Sequence, residues 1–190
     1  GESSVNDVDV ARLPSPVLIA GDDDTAYRDP AAVTLVAIAN LSDQDATLTA
    51  TAYGTDGSLL TGPGFVNPVQ LEVPANQQLA QLTGEIFGST LSPTQIGWVE
   101  IQSPADDLTG FFLFLNTDFT QFDGADLPAA AEEVVFNLVR ANETFRTEIN
   151  LVNPGSSTLE LTLNLYGEGQ LQASRSLTLP GKAVERFDAG

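Results

Sequence analysis

Apolar and polar residues alternate along much of this chain with a period of two. From Leu159 to Leu165 every second residue is leucine, and the residues between them are polar. The stretch from Leu48 to Ala52 keeps the same phase, with threonine at the intervening positions. Successive side chains of a β-strand point to opposite faces, so this pattern predicts strands with one apolar and one polar face.

Turn residues separate the predicted strands at short intervals, as in Asn153-Pro154-Gly155 and Gly167-Glu168-Gly169. Short strands at this spacing are typical of antiparallel sheets packed face to face. The second half of the chain has predicted strands at 145–153 and 159–166. The first half has predicted strands at residues 16–20, 33–40, 47–53, 69–73, 78–82, 97–102 and 108–115. One helical turn is predicted at 82–87.

The sequence repeats itself once. Asn40 and Tyr53-Gly54 recur as Asn153 and Tyr166-Gly167, at the same offset of 113 residues (40 to 153 and 53 to 166). Self-similarity at a fixed period indicates tandem units. The first unit continues through Gly-Trp-Val-Glu-Ile and Phe-Phe-Leu-Phe-Leu, whereas nothing of that kind follows Phe187. We therefore expect the second unit to lack its last strands.

Four short motifs punctuate the predicted strands: Asn-Pro-Gly after a strand, an aliphatic strand that ends in Tyr-Gly, Leu-Thr-Leu-Pro-Gly, and Gly-Trp-Val-Glu-Ile. Together they resemble the immunoglobulin-like or fibronectin-III-like repeats of bacterial secreted and surface proteins. The resemblance implies an all-β fold of two tandem immunoglobulin-like antiparallel β-sandwiches, the second lacking its last strands. It also implies a spacer, adhesion or assembly role at an extracellular or cell-surface location.

The expected organisation has four segments. They are an N-terminal arm at residues 1–15, a complete sandwich module at 16–115, an acidic linker at 116–133 with a short helix from Asp126 to Glu133, and an incomplete sandwich module at 134–190. Asp126-Leu127-Pro128 suggests the helix because proline is accepted in a first helical turn.

The chain contains neither histidine nor cysteine. This excludes Ser-His-Asp triads, thiol nucleophiles and zinc sites built from His and Cys. A glycosidase needs two carboxylates facing each other across a cleft. Glu132 and Glu133 are neighbours in the linker, and Glu100 lies on a separate strand. We therefore predict that the protein is not an enzyme.

The formal net charge is −19, from 26 acidic residues against seven basic ones. Such a field repels nucleic acid and anionic membrane surfaces, so neither is an expected partner. No stretch approaches the roughly 18 apolar residues of a membrane span, so membrane insertion is not expected. An acidic surface with a single lysine suits a secreted domain, and it also suits a protein adapted to high salt.

Acidic residues cluster at two places where calcium could bind. Calcium takes six to eight oxygen ligands, and loop carboxylates beside a hinge supply them. Neither cluster has the spacing of an EF-hand, and the alternative is a pair of solvated acidic loops. No other cofactor is expected. The candidate ligands are Asp22 and Asp24 in the first loop, and Asn116, Asp118, Asp123 and Asp126 in the linker.

Trp98 is the candidate ligand-binding aromatic residue. If Val99 and Ile101 point into the core, Trp98 shares the outer face with Glu100 and Gln102, where its ring could stack on a sugar or a partner. The alternative is that Trp98 covers the edge of the sandwich beneath a loop.

The second candidate contact surface lies on the predicted strand 108–115. Phe111 and Phe112 lie in a run that is apolar on both faces, and such a strand needs cover on both sides. We therefore expect its outer face to meet the linker, the other module or another chain.

The missing strands lead to the functional hypothesis. An unpaired sheet edge is a template for another strand. A neighbouring copy could donate its arm, in which the apolar residues are Val5, Val8, Val10 and Leu13. Alternatively, a further C-terminal segment, or the chain itself, fills the gap.

The expected protein is an extracellular structural protein that self-assembles into filaments or attaches to cell-surface proteins. The alternative is a non-catalytic binding module, for carbohydrate or protein, of a larger secreted protein.

Overall fold

A computed structural model describes residues 11–13, 33–88, 97–105, 107–115, 122–126, 130–136, 139 and 148–188, and the side chains of most of them. The described elements, in chain order, are β1 (Ala11–Leu13), β2 (Val33–Asn40), β3 (Ala46–Gly54), β4 (Val69–Val73), β5 (Gln78–Leu82), α1 (Thr83–Ile86), β6 (Gly97–Gln102), β7 (Leu108–Leu115), β8 (Phe122–Asp126), β9 (Glu148–Val152), β10 (Leu159–Gly167), β11 (Gln170–Leu179) and β12 (Val184–Asp188).

The first eight strands form two four-stranded sheets. One sheet has the order β1-β6-β3-β4 and the other β5-β2-β7-β8, and every pairing is antiparallel. The prediction of an all-β, antiparallel chain is confirmed. Strands β2, β4, β5, β6 and β7 have the predicted bounds, because alternation and turn residues mark both ends of each run.

A single hydrophobic cluster lies between these two sheets. Leu48, Ala50 and Ala52 of β3 contribute to it from one sheet, and Val36 and Ile38 of β2 contribute from the other. These are the positions that the period of two assigns to the inner face. Phe87, which follows α1, is fully buried in the same cluster.

The last four strands form two two-stranded sheets, β9 with β12 and β10 with β11. They repeat the pairings of β2 with β5 and of β3 with β4. Ala46 faces Val73 across β3 and β4, and Leu159 faces Leu179 across β10 and β11. We use "first repeat" for residues 33–115 and "second repeat" for 148–188. Among the described residues, the second repeat contains counterparts of β2 to β5 alone.

The repetition extends to individual hydrogen bonds. The side-chain amide of Asn40 donates to the carbonyl oxygens of Gln44 (2.7 Å) and Val73 (3.0 Å). The amide of Asn153 donates in the same way to Ser157 (2.7 Å) and Leu179 (2.9 Å). Each asparagine ties the end of one strand to the end of another, in the opposite sheet, and both side chains are buried.

The structure corrects two predictions about the connecting segments. Residues 122–126, predicted as part of a linker, form β8, which pairs with β7. Aspartate and glycine disfavour strands, but the open edge of β7 offers hydrogen bonds that outweigh this weak local preference. Residues 130–133, predicted as helix, are irregular and exposed. The predicted strand at 16–20 lies outside the described residues.

Candidate interface between the repeats

The turn between β11 and β12 carries the chain's single lysine. Lys182 has a positive φ of 60°, and Asn76 has a φ of 55° at the corresponding turn of the first repeat. In both turns a backbone N–H donates to the carbonyl oxygen of a proline three residues earlier, from Ala183 to Pro180 and from Gln77 to Pro74, at 3.1 Å. The repeat therefore fixes the conformation that presents Lys182.

This turn contacts the outer face of β6. The indole N–H of Trp98 donates to the carbonyl oxygen of Lys182 at 2.7 Å. The Nζ atom of Lys182 donates to both carboxylate oxygens of Glu100, at 2.8 and 2.9 Å. The backbone N–H of Val184 donates to the carbonyl oxygen of Thr55 at 3.1 Å. Side-chain and backbone bonds thus join the two repeats.

Glu100 is the electrostatic centre of this interface. Its side chain is 2% exposed, against 22% for Lys182. A carboxylate so far from water needs a counter-charge and hydrogen-bond donors. Lys182 supplies the charge, and the hydroxyl of Tyr53 donates to Oε2 at 3.2 Å. Glu100 thus has a counter-charge and a hydrogen-bond donor within the interface between the two repeats.

Two stacked aromatic rings lie close to the ammonium group of Lys182. Tyr53 and Trp98 stack with centroids 5.1 Å apart. The Nζ atom of Lys182 lies 5.4 Å from the Tyr53 centroid and 5.9 Å from that of Trp98, within cation–π range. Burial, together with the neighbouring Glu100 carboxylate that accepts its hydrogen bond, raises the pKa of Tyr53 to about 12. The phenol therefore stays protonated and remains a donor.

The backbones approach each other closely beside this cluster. Gly57 has a φ of 84°, and a Cβ atom at this position would overlap the carbonyl oxygen of Gly181. Glycine meets both conditions, because it accepts positive φ and has no side chain to clash. The contact between the Gly57 loop and the turn at Lys182 therefore depends on glycine.

From the sequence alone, a ligand could reach the outer face of β6 at Trp98. In the structure the turn at Lys182 covers Trp98 and Glu100 on this face. Val99 and Ile101 belong to the core, which meets the condition that places Trp98 and Glu100 on the opposite face of β6. Trp98 lies beneath the turn at Lys182 with 1% of its surface exposed, so its ring faces protein in this structure. Gln102, at the end of β6, is exposed.

The remaining predicted site residues are dispersed. Phe111 is half exposed, whereas Phe112 is buried in the core. Leu13 lies in β1, which pairs with β6 of its own chain opposite Val99. Asp123 and Asp126 lie in β8, whose side chains the structure does not describe. The other predicted residues lie outside the described residues: Val5, Val8, Val10, Asp22, Asp24, Asn116 and Asp118.

Within the described ranges no group of three acidic residues is placed to hold a metal ion. Calcium binding at the predicted ligands stays a prediction. No helix in the described part of the chain is long and apolar enough to cross a membrane.

The Glu100 and Lys182 side chains neutralise each other close to the rings of Tyr53 and Trp98. This arrangement is suited to holding two parts of a protein together.

Sequence patterns do not reveal the partners at this interface. From the sequence, Lys182 is expected at the surface, in the turn after Pro180-Gly181. Tyr53 is expected to face outward with a structural role. One signal is available, because a single lysine in a chain of net charge −19 is a distinctive residue. Its partner Glu100 lies 82 residues away, and sequence periodicity does not connect positions so far apart.

Comparisons with known proteins indicate distant likeness of shape. No protein-family model matches the chain, and no curated protein matches it. The crystal structure of Thermotoga maritima 1070 is similar with a TM-score of 0.42 and 13% sequence identity, over 64% of this chain and 92% of that one. The sensory rhodopsin transducer of Anabaena is similar with a TM-score of 0.36 and 18% identity, over 57% of this chain and 95% of that one. Both likenesses are too distant to indicate a function.

Proposed function

We propose that this chain is a non-catalytic extracellular structural protein that self-assembles or attaches, built from immunoglobulin-like repeats. Two features support the proposal. The repeats are joined through a buried ion pair and backbone hydrogen bonds, which suits a load-bearing unit. The second repeat also presents apolar strands in need of cover, which suits assembly.

The observation that carries this proposal is the contrast between equivalent positions of β3 and β10. Ala52 is 2% exposed, and its counterpart Leu165 is 51% exposed. Ala46 is 1% exposed, whereas its counterpart Leu159 is 41% exposed. In the first repeat β6 pairs with β3 opposite Ala52, and β7 pairs with β2, whereas the described residues of the second repeat include no strand in either place.

Completion by a neighbouring chain would turn this defect into a mechanism of assembly. A strand added to an open edge forms backbone hydrogen bonds along its length, and alternate side chains enter the apolar face. A contact between two different surfaces does not close on itself, so it propagates from one molecule to the next. A filament of copies joined head to tail is the expected product.

The test is particle mass as a function of protein concentration, measured by light scattering. We expect the mass to rise with concentration in the unmodified protein. Leu165→Glu places a charge on the exposed face of β10 and should keep the protein monomeric. Val66→Glu is the matched control, because Val66 is similarly exposed (55%) but lies in the first repeat. A monomer at every concentration, or equal effects of the two substitutions, would contradict self-assembly.

A second candidate function is binding of a polar, uncharged ligand. An open cavity of about 490 Å³ lies where β2 ends and β5 begins. In a chain of net charge −19, its lining contains no charged residue, and amides are what hydroxyl-rich ligands such as carbohydrates recognise. The lining residues are Ala39, Asn40, Leu41, Asn76, Gln77 and Gln78.

Titration calorimetry with neutral oligosaccharides tests this second function. Gln78→Ala should weaken binding at least several-fold. Gln70→Ala is the control, because Gln70 is an exposed glutamine on β4 away from the lining. An absence of heat with any oligosaccharide would remove the carbohydrate-binding candidate.

A further inference from the structure

The contact between the two repeats joins two surfaces, and each of them has a counterpart on the other repeat. The first repeat contributes the hairpin that follows Tyr53, and the second repeat contributes the turn at Lys182. The offset of 113 residues maps Tyr53 onto Tyr166. The turn at Lys182 corresponds to the turn at Asn76, which has the same positive φ and the same hydrogen bond to a proline carbonyl. The chain therefore carries a second copy of each contact surface.

Both of these counterpart surfaces are open. Tyr166 is 63% exposed, whereas the ring of Tyr53 lies 5.4 Å from the Nζ atom of Lys182. The open cavity of about 490 Å³ adjoins the turn at Asn76. In the second repeat the corresponding turn accepts a hydrogen bond from the indole N–H of Trp98. The two surfaces that meet within the chain are thus also present in a form that the described residues leave uncovered.

The backbone offers the donor and the acceptor that the internal contact uses. In that contact the N–H of Val184 donates to the carbonyl oxygen of Thr55. The corresponding groups are the N–H of Gln78 and the carbonyl oxygen of Glu168. The N–H of Asn40 donates to the carbonyl oxygen of the residue before Gln78, so the alternation of an antiparallel ladder directs the N–H of Gln78 away from β2. Strand β5 is the edge of its sheet, and no described strand pairs with it on that side.

We propose that a second copy of this chain docks its turn at Asn76 onto the hairpin at Tyr166, in the way that the turn at Lys182 docks onto the hairpin at Tyr53. This inference rests on the proposed assembly function and names the surfaces that position the neighbouring copy. The two surfaces differ, so the contact does not close on itself and continues from copy to copy. A neighbouring copy, rather than a carbohydrate, then occupies the cavity beside Asn76.

The charges at the two surfaces are consistent with this contact. The internal contact sets Lys182 against the buried carboxylate of Glu100. The turn of the first repeat has Asn76 in place of the lysine, and the described residues of the second repeat include no counterpart of β6. The lysine and its buried partner are therefore absent together. Glu168 and the net charge of −19 oppose association, so added salt should strengthen it.

Two variants of the full chain each block one surface. Asn76→Asp with Gln77→Glu adds two charges to the turn, and aspartate, like asparagine, tolerates the left-handed conformation of residue 76. Tyr166→Glu adds one charge to the hairpin. Each variant would have to bury its added charge in the contact, so we expect it to associate at least about tenfold more weakly than the unmodified chain.

Light scattering in about 1 M NaCl, where the Debye length is about 3 Å, measures the particle mass of each variant and of their mixture. Each variant alone should be monomeric. Mixed in equal amounts, they should form particles of twice the monomer mass of 20.0 kDa and no larger, because each supplies the surface that the other has lost. This recovery also shows that both variants are folded.

The matched controls are Gln70→Glu with Gln102→Glu, which adds two charges to exposed residues elsewhere on the first repeat, and Val66→Glu. Both should associate like the unmodified chain. If a blocked variant associates as strongly as its control, or if the mixture stays monomeric, the docking inference is wrong, whereas a loss of association in Leu165→Glu would still support self-assembly. An unmodified chain that is monomeric at every concentration overturns both proposals.

Discussion

The Nζ atom of Lys182 lies 2.8 Å from Oε1 and 2.9 Å from Oε2 of Glu100. These residues belong to different repeats and are 82 positions apart. The Glu100 side chain is buried and that of Lys182 is largely buried, so their attraction is less screened than that of an exposed ion pair. The position of the second repeat against the first is therefore sensitive to one charge pair.

Lys182→Met should lower the free energy of unfolding by about 3 kcal/mol, because it removes a cation that donates two hydrogen bonds to the buried Glu100 carboxylate. Urea denaturation followed by the fluorescence of Trp98, the only tryptophan, measures this change. The double variant with Glu100→Gln should recover part of the loss, since it also removes the buried negative charge that Lys182 neutralises. A double variant whose loss equals the sum of the two single losses would show that the pair is not energetically coupled.

The raised pKa of Tyr53 predicts that the free energy of unfolding decreases at alkaline pH. Its pKa is raised from 10.0 to about 12 in the folded protein, so the folded state holds the proton more tightly than the unfolded state. The resulting stabilisation is fully present below pH 10 and is lost as the pH rises through about 12. Urea midpoints measured across this window should fall more steeply for the wild type than for Tyr53→Phe. Lys182 is present in both proteins, so equal slopes would contradict the assignment to Tyr53.

Asn40→Asp and Asn153→Asp should each destabilise the protein by about 1–3 kcal/mol or more. The substituted oxygen could no longer donate to the strand-end carbonyls of Val73 or Leu179, and it would place a charge in a buried site. Thermal unfolding of both variants checks this. Gln44→Glu is the control, because the Gln44 side chain is exposed and bonds only locally to Asp43 among the bonds described. A loss at one asparagine alone would contradict their equivalence.

Gly57→Ala should open the interface between the repeats, because the added methyl group meets the carbonyl oxygen of Gly181. Gly169→Ala is the matched control. Gly169 has a similar φ of 74°, but a methyl group added there would have no atom within 4 Å, so this variant reports the cost of backbone conformation alone. The Trp98 emission should shift to the red in Gly57→Ala and stay unchanged in Gly169→Ala. Identical spectra for the two variants would show that the close approach does not hold the interface.

Much of the fold follows from local sequence. The period of two identifies the inner faces of β2 and β3, and turn residues set the strand ends, because both depend on residues close together in the chain. The repeat can also be read from the sequence, because Asn40 and Asn153 stand at the same offset as the other matching residues. The structure confirms their equivalence, since both side chains make the same hydrogen bonds. Strand β8 cannot, because its sequence is not strand-like and its formation depends on the edge of β7.

By itself, then, the sequence determined an antiparallel all-β chain, its repeated strand pairs and the residues that face the core of the first repeat. The tertiary structure alone decided what covers the outer face of β6, where Lys182 meets Glu100 and Trp98, and to which strand β1 is added. Alternation assigns side chains to two faces of a strand, but it carries no information about which distant segment packs on either face. That choice depends on charge, shape and hydrogen bonding between segments that meet only after the strands have formed.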